Sequence, residues 1–280
     1  MSVTISQRDI AGWKQRMPLV FAPSRSVRLR NGAVWAAFVG VTGFALWRVD
    51  ADPTRLWNGL AKLGFLIQLM VPPSTDGALG DFLGGLFETL AMAFLGTLLA
   101  VILAIPLGFL GARNVVPLRA LRFGIRRGFD GMRAVGQLIW AIIFVAAVGM
   151  GPFAGILAIA ASDIGVLAKL YAEAIENIDR RPVEGVRASG AVRLTTLRFA
   201  VLPQVLPIFI SNALYMFESN TRSASILGIV GAGGIGLYLG DRIGANDWDV
   251  VAALILMILV AVSAIDLMSA QLRRLATGQT

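Results

Sequence analysis

Between Arg133 and Asp163 the chain runs through 29 residues without a charged side chain, and between Glu88 and Arg113 through 24. A helix needs roughly 20 mostly apolar residues to cross a bilayer. Long apolar stretches are the usual sign of transmembrane segments. The expected fold class is therefore all-α, a polytopic membrane helix bundle. Composition agrees, because 56% hydrophobic against 15% charged residues leaves too little polar surface for a soluble domain of 280 residues.

The runs predict about six spans. The first is 31–47, between Arg30 and Arg48, and the second is about 82–110, with Glu88 near its start. The long run 134–162 is broken by Gly149-Met150-Gly151-Pro152, which favours a turn and divides it into spans 134–149 and 153–172. The fifth and sixth are about 204–227 and 250–272, with a Gly-rich segment, 228–244, between them. Residues 49–80 are mixed, but Leu56, Trp57, Leu60, Leu63, Leu66 and Ile67 recur at helical spacing and predict an amphipathic helix on the membrane surface. The organisation expected is a cytoplasmic segment 1–30, a first span with an external amphipathic segment over 31–80, and a core bundle over 81–275. Residues 1–30 are polar and Arg-rich, with no leading apolar run, which does not read as a cleaved signal peptide.

Basic residues are distributed unequally. Six precede the first span, six follow the second (Arg113 to Arg133), six lie around 169–198 and two are in the tail, whereas the opposite loops hold only Arg55, Lys62 and Arg242. Lys and Arg accumulate on the cytoplasmic side, so both termini are expected there, and the asymmetry supports the span count. The net charge of +8 is thereby a membrane-surface feature. The basic stretch 113–133 has only Phe123 and Phe129 interleaved, so nucleic acid is not an expected partner and membrane lipid is.

The chain has no Cys and no His. That removes disulfides, thiolate metal sites, haem ligation by His and Ser–His catalysis. No catalytic residue, metal site or cofactor is expected in this chain. Gly231-Ala-Gly-Gly-Ile-Gly236 spells a dinucleotide-binding pattern, but it lies between two spans with no βαβ context. Close helix packing through small residues is the better reading.

One segment between the fourth and fifth spans carries more information. Asp179 can cap a helix and Pro182 suits its first turn. Val183, Val186, Leu194 and Leu197 lie near one face, Gly190 permits a bend, and Pro203 is expected to restart the chain as the fifth span. This predicts a short, basic, amphipathic element over 177–203.

The segment resembles the cytoplasmic loop of ABC importer permeases, which reads Glu-Ala-Ala, three residues, Gly, nine residues, Ile-x-Leu-Pro. Glu184, Gly190, Leu202 and Pro203 match at that spacing, and Ala188 and Ser189 are compatible small residues. Gly185 and Val186 replace the two alanines, and Ala200 replaces Ile. Glu88-Thr89-Leu90 and the stretch Ser225 to Gly236 look like the same family. The stretches Leu138 to Gly155, Lys169 to Asp179 and Leu202 to Pro207 resemble phosphonate importer permeases more narrowly. The likeness covers roughly 80–275 and nothing specific before it. Asp163 stands where many relatives would have His.

The resemblance implies a fold like the type I ABC importer permeases, in the bacterial inner membrane. It implies an ATPase-coupling role for Glu184, Gly185, Ala188, Gly190, Leu202 and Pro203. The implied partners are a second copy of the chain, two ATP-binding cassette subunits and an external substrate-binding protein, with ATP and Mg held by the cassette subunits. The three lysines, Lys14, Lys62 and Lys169, follow Trp13, Ala61 and Ala168, so none completes a phosphate-binding loop in this chain. The implied cargo is a phosphonate or related oxyanion. Permeases for methionine, quaternary amines or sulfonates, or an ion-coupled carrier, are alternatives.

Charges inside spans mark function or structural pairing. Glu218 and Arg222 are four apart on one helical face, with Asn220 and Ser223 nearby. Glu88, Glu218, Asn220 and Arg222 are thus the candidates for the translocation pathway or gate, and an internally neutralised Glu218–Arg222 pair is the competing reading. Asp163 and Asp266 read as packing or interface residues.

Overall fold

The structure, a computed structural model, describes residues 25–277, and every regular element among them is helical. The expected segment 1–30 therefore lies mostly outside the described residues. The chain divides into two compact units, the first ending at Phe65 and the second running from Leu66.

In the first unit α1 spans Arg25–Arg48. Its apolar side chains, Trp35, Phe38, Phe44 and Trp47 among them, are exposed, as expected of a helix surrounded by lipid. The turn after it is closed by Asp52, whose carboxylate accepts the Thr54 N–H at 2.8 Å and the Thr54 hydroxyl at 2.7 Å. Those bonds hold the Asp52 carboxyl below its usual range. Pro53, with its φ already helical, then opens α2, Pro53–Leu69. The apolar spacing from Leu56 to Ile67 does form one helix.

The first helix wholly within the second unit is α3, Leu79–Gly111, whose 33 residues carry it about 50 Å at 1.5 Å per residue. α3 packs along α6, Pro152–Glu176. Small residues allow the approach: a Cβ on Gly96 would stand 2.7 Å from Ile159, and one on Gly108 would stand 2.7 Å from Tyr171. Lipid offers no hydrophobic drive between helices, so such close packing is what holds them together. Tyr171 in turn stacks on Phe209, with centroids 4.0 Å apart.

The predicted third span is instead a bent pair. α4, Arg119–Ala134, and α5, Gln137–Val148, meet at 85°. α5 has 12 residues, about 18 Å, against a hydrocarbon core of about 30 Å. The basic stretch after the second span is therefore a helix that packs on α6 through Ile125, Phe129 and Met132, an i, i+4, i+7 stripe. Among the described residues five helices are long and apolar enough to cross a membrane, or six if the bent pair is one broken span.

The second half differs from expectation at Pro203. α7 spans Arg180–Ala188, and the helix that follows begins at Arg193, not at Pro203. It runs as α8, Arg193–Thr196, through a π-helical turn, Leu197–Val201, into α9, Leu202–Leu227. Pro203 has no N–H to donate and its ring crowds the preceding turn. The wider turn, in which the Leu202 N–H reaches Leu197 O, absorbs it.

The Gly-rich segment is ordered. A kinked segment, Gly228–Ala232, with Gly231 at φ +97°, leads into α10, Ile235–Ala245, and α11 runs Trp248–Thr277. A Cβ on Gly236 would run into Ser225 O, so the chain crosses itself backbone to backbone there. This is the packing role expected of the glycine pattern.

Candidate functional site

The 177–203 strip lies at the end of the second unit where α3 and α6 finish. Asp179 caps α7, its carboxylate accepting the Arg181 N–H at 3.0 Å. Gln204 closes the strip on itself: its side-chain oxygen accepts the Asp179 N–H at 3.0 Å, and its side-chain nitrogen donates to Ala200 O at 2.6 Å. Gly190 sits at φ +80°, a left-handed turn that reverses the chain. Val183 and Leu197 pack against the core. Leu194 does not join them; it is 76% exposed, because the turn at Gly190 resets the helical phase.

No residue of α7 is buried. Glu184, Gly185, Ala188 and Gly190 are all exposed, as are Leu202 and Pro203. A Cβ on Gly185 would meet nothing within 4 Å. The small size of Gly185 therefore serves no packing inside this chain.

A second cluster lies within the spans. Asn220 on α9 donates to Asp163 Oδ2 on α6 at 2.5 Å and to Thr97 Oγ1 on α3 at 2.9 Å. Gln137 at the start of α5 donates to Asn220 Oδ1 at 3.2 Å. Four helices thus meet at one buried amide. Thr97 is 18 residues past Leu79 and 14 before Gly111, which places this network midway along α3.

Arg222 lies two residues beyond Asn220. It is bound to Glu218 at 3.6 Å, as the spacing suggested, and more closely to Asp266 on α11 at 3.1 Å. Glu218 is in turn held by Arg273 at 2.8 Å. The expected pair is part of a four-residue network joining α9 to α11. The Arg222 and Asp266 side chains are 48% and 40% exposed, whereas Glu218 is 15% exposed. Glu88 is elsewhere, half-buried near the opposite end of α3 beside Gly233 and Pro152.

Sequence reasoning missed Thr97, Gln137 and Arg273 in these networks, and also Thr89 and Glu176 outside them. Thr89, next to Glu88, accepts the Ile235 N–H at 2.8 Å and so caps α10 from another helix. Glu176, the last residue of α6, accepts from Arg113 and Arg126. Neither has a local pattern: a Thr in an apolar run and a Glu at a helix end are common.

The comparisons with known proteins agree on one family. Residues 104–277 match the binding-protein-dependent transport system inner membrane component family. The chain is 41% identical over 241 residues to the phosphite transport system permease protein PtxC of Stutzerimonas stutzeri, covering 85% of this chain and 87% of that one. It is 39% identical over 261 residues to the phosphate-import permease protein PhnE of Mycolicibacterium smegmatis, covering 91% of this chain but 49% of that protein. Both alignments are longer than the 80–275 stretch in which the motifs lie. An inward-facing structure of the MetNI methionine ABC transporter shares the fold, with a TM-score of 0.61 at 21% identity over 72% of this chain and 99% of that one. The chain belongs to the binding-protein-dependent transport system inner membrane component family, the multi-pass permease subunits of ABC importers, whose ATPase is a separate subunit.

Proposed function

We propose that this chain moves a phosphonate or related phosphorus oxyanion, such as phosphite or phosphate, into the cell. The cargo class rests on the names of the relatives, which are phosphite and phosphate permeases. The force enters through the strip at Glu184. The observation that carries this is Gly185: it is small, exposed and unused by any internal packing. A surface kept small beside Glu184 and Ala188 suits close approach by another protein, here an ATP-binding cassette subunit. Glu184, Gly185, Ala188, Gly190, Leu202 and Pro203 form that coupling surface.

Two copies of the chain pair about an axis along the membrane normal, joined by two cassette subunits and an external binding protein. Both termini and the strip face the cytoplasm, where the basic residues belong. Moving one negative charge into a cell held inside-negative costs about 2.3 kcal/mol per 100 mV, which requires an energy source. Half-exposed charges within spans do not face lipid, so the Arg222–Asp266 face of α9 and α11 borders the pathway between copies. Glu218 and Asn220 hold that face in position, and Glu88 belongs to the gate at the far end.

Reconstitution tests this reading. Proteoliposomes holding the chain, its cassette subunit and ATP inside, with binding protein outside, should accumulate methylphosphonate, phosphite or phosphate only when all components are present. Uptake by the chain alone under an ion gradient would sink the proposal.

A further inference from the structure

The loop between α3 and α4 is gripped from two directions. On one side stands Glu176, whose side chain is only 7% exposed. Its Oε1 accepts the Arg113 backbone N–H at 2.7 Å and Arg126 Nη2 at 2.7 Å, and its Oε2 accepts Arg113 Nε at 3.0 Å. Arg126 also donates through Nε to Gly111 O, at 3.1 Å, covering the free carbonyl end of α3. Beside it, Asn114 donates to Ile175 O at 2.6 Å. On the other side, Arg193, in the second half of the strip, donates to Val115 O.

We propose that Glu176 is the positioning residue through which movement of the 179–203 strip reaches α3 and α4. Only Asn177, Ile178 and Asp179 separate it from the start of α7. Gln204 joins the two ends of the strip, tying Asp179 to the base of α9. When the strip is displaced, α6 is displaced at Glu176, and the two arginines carry the end of α3 and the whole of α4 with it. Asn114 and the Ile125, Phe129 and Met132 packing also join this end of the bundle to α6; the Glu176 bonds add the directional contacts that fix its angle.

The Glu176 carboxylate is buried while Arg113 is 69% exposed and Arg126 30% exposed, so desolvation and solvent screening leave these pairs little net stability. They do fix one geometry, since charge-assisted hydrogen bonds are directional and strong. Three oriented bonds on one carboxylate suit a joint that must transmit force without slipping. The inference rests on the importer reading above.

The experiment uses the assembled transporter in proteoliposomes and reads three quantities: recovery of the complex with its cassette subunit, ATP hydrolysis, and uptake per ATP hydrolysed. The wild type comes first. If it accumulates oxyanion without the cassette subunit, the importer reading fails before any variant is compared. With a coupled wild type, Glu176→Gln should assemble and hydrolyse ATP near normally, while uptake per ATP falls about tenfold, within the usual range of coupling between sites. Arg126→Gln, which leaves both Arg113 bonds in place, should lower the ratio by about threefold. It decides the question if Glu176→Gln does not assemble. An unchanged uptake-to-ATP ratio in an assembled variant overturns the proposal, as does a loss of uptake that only tracks loss of the complex.

Discussion

Asn220 on α9 stands 2.5 Å from the Asp163 carboxylate on α6, and the same amide reaches Thr97 on α3 and Gln137 on α5. These bonds fasten four helices at mid-bundle, and Asn220, Asp163 and Thr97 are all buried. Replacing Asn220 by Ala strands Asp163 without its donor. A buried polar group left unsatisfied costs about 1–3 kcal/mol. Asn220→Ala should therefore lower the thermal midpoint of the detergent-solubilised protein, whereas Asp163→Asn, which keeps a polar partner, should lower it less. Equal midpoints for wild type and Asn220→Ala would contradict the network.

Two glycines should respond in opposite ways. Gly236→Ala puts a Cβ into Ser225 O, with backbone on both sides and no flexible atom to give way. Overpacking of this kind typically costs about 1–3 kcal/mol or more, so expression and thermal midpoint should fall. Gly185→Leu meets nothing within the chain. It should leave the midpoint unchanged while reducing recovery of the cassette subunit in co-purification.

Arg222 carries the pathway assignment. Its half-exposed guanidinium shares Asp266, so its charge is partly neutralised at rest. Arg222→Gln should reduce oxyanion uptake by about tenfold or more, the loss of one charged hydrogen bond to the cargo, and leave cassette recovery intact. Arg222→Lys should restore only part of it, because an ammonium lacks the planar fork. Uptake unaffected by Arg222→Gln would place the pathway elsewhere.

Much of this was legible from residue order alone. Uncharged runs such as that following Glu88 set the span count, and Glu184, Gly190, Leu202 and Pro203 marked the strip by spacing. The broken third span was not legible because Arg119 to Ala134 reads as a charged loop when positive residues are counted. Its Ile125, Phe129 and Met132 stripe was the available signal. Leu194 was misplaced because a single left-handed residue, Gly190, shifts the phase of everything after it. Glu176 could not have been found, since its partners lie 50 and 63 residues away and no periodicity links them.

In the proposed importer an ATPase subunit grips the strip at Glu184 on the cytoplasmic side. The chain has no Cys, so Glu184→Cys creates a unique thiol at an exposed position. In the assembled transporter, a short thiol-to-amine cross-linker should join Glu184→Cys to the cassette subunit and leave Gly77→Cys, in the turn before α3, unlinked. No adduct at residue 184, or labelling of that thiol by an impermeant reagent added outside intact cells, would contradict the account.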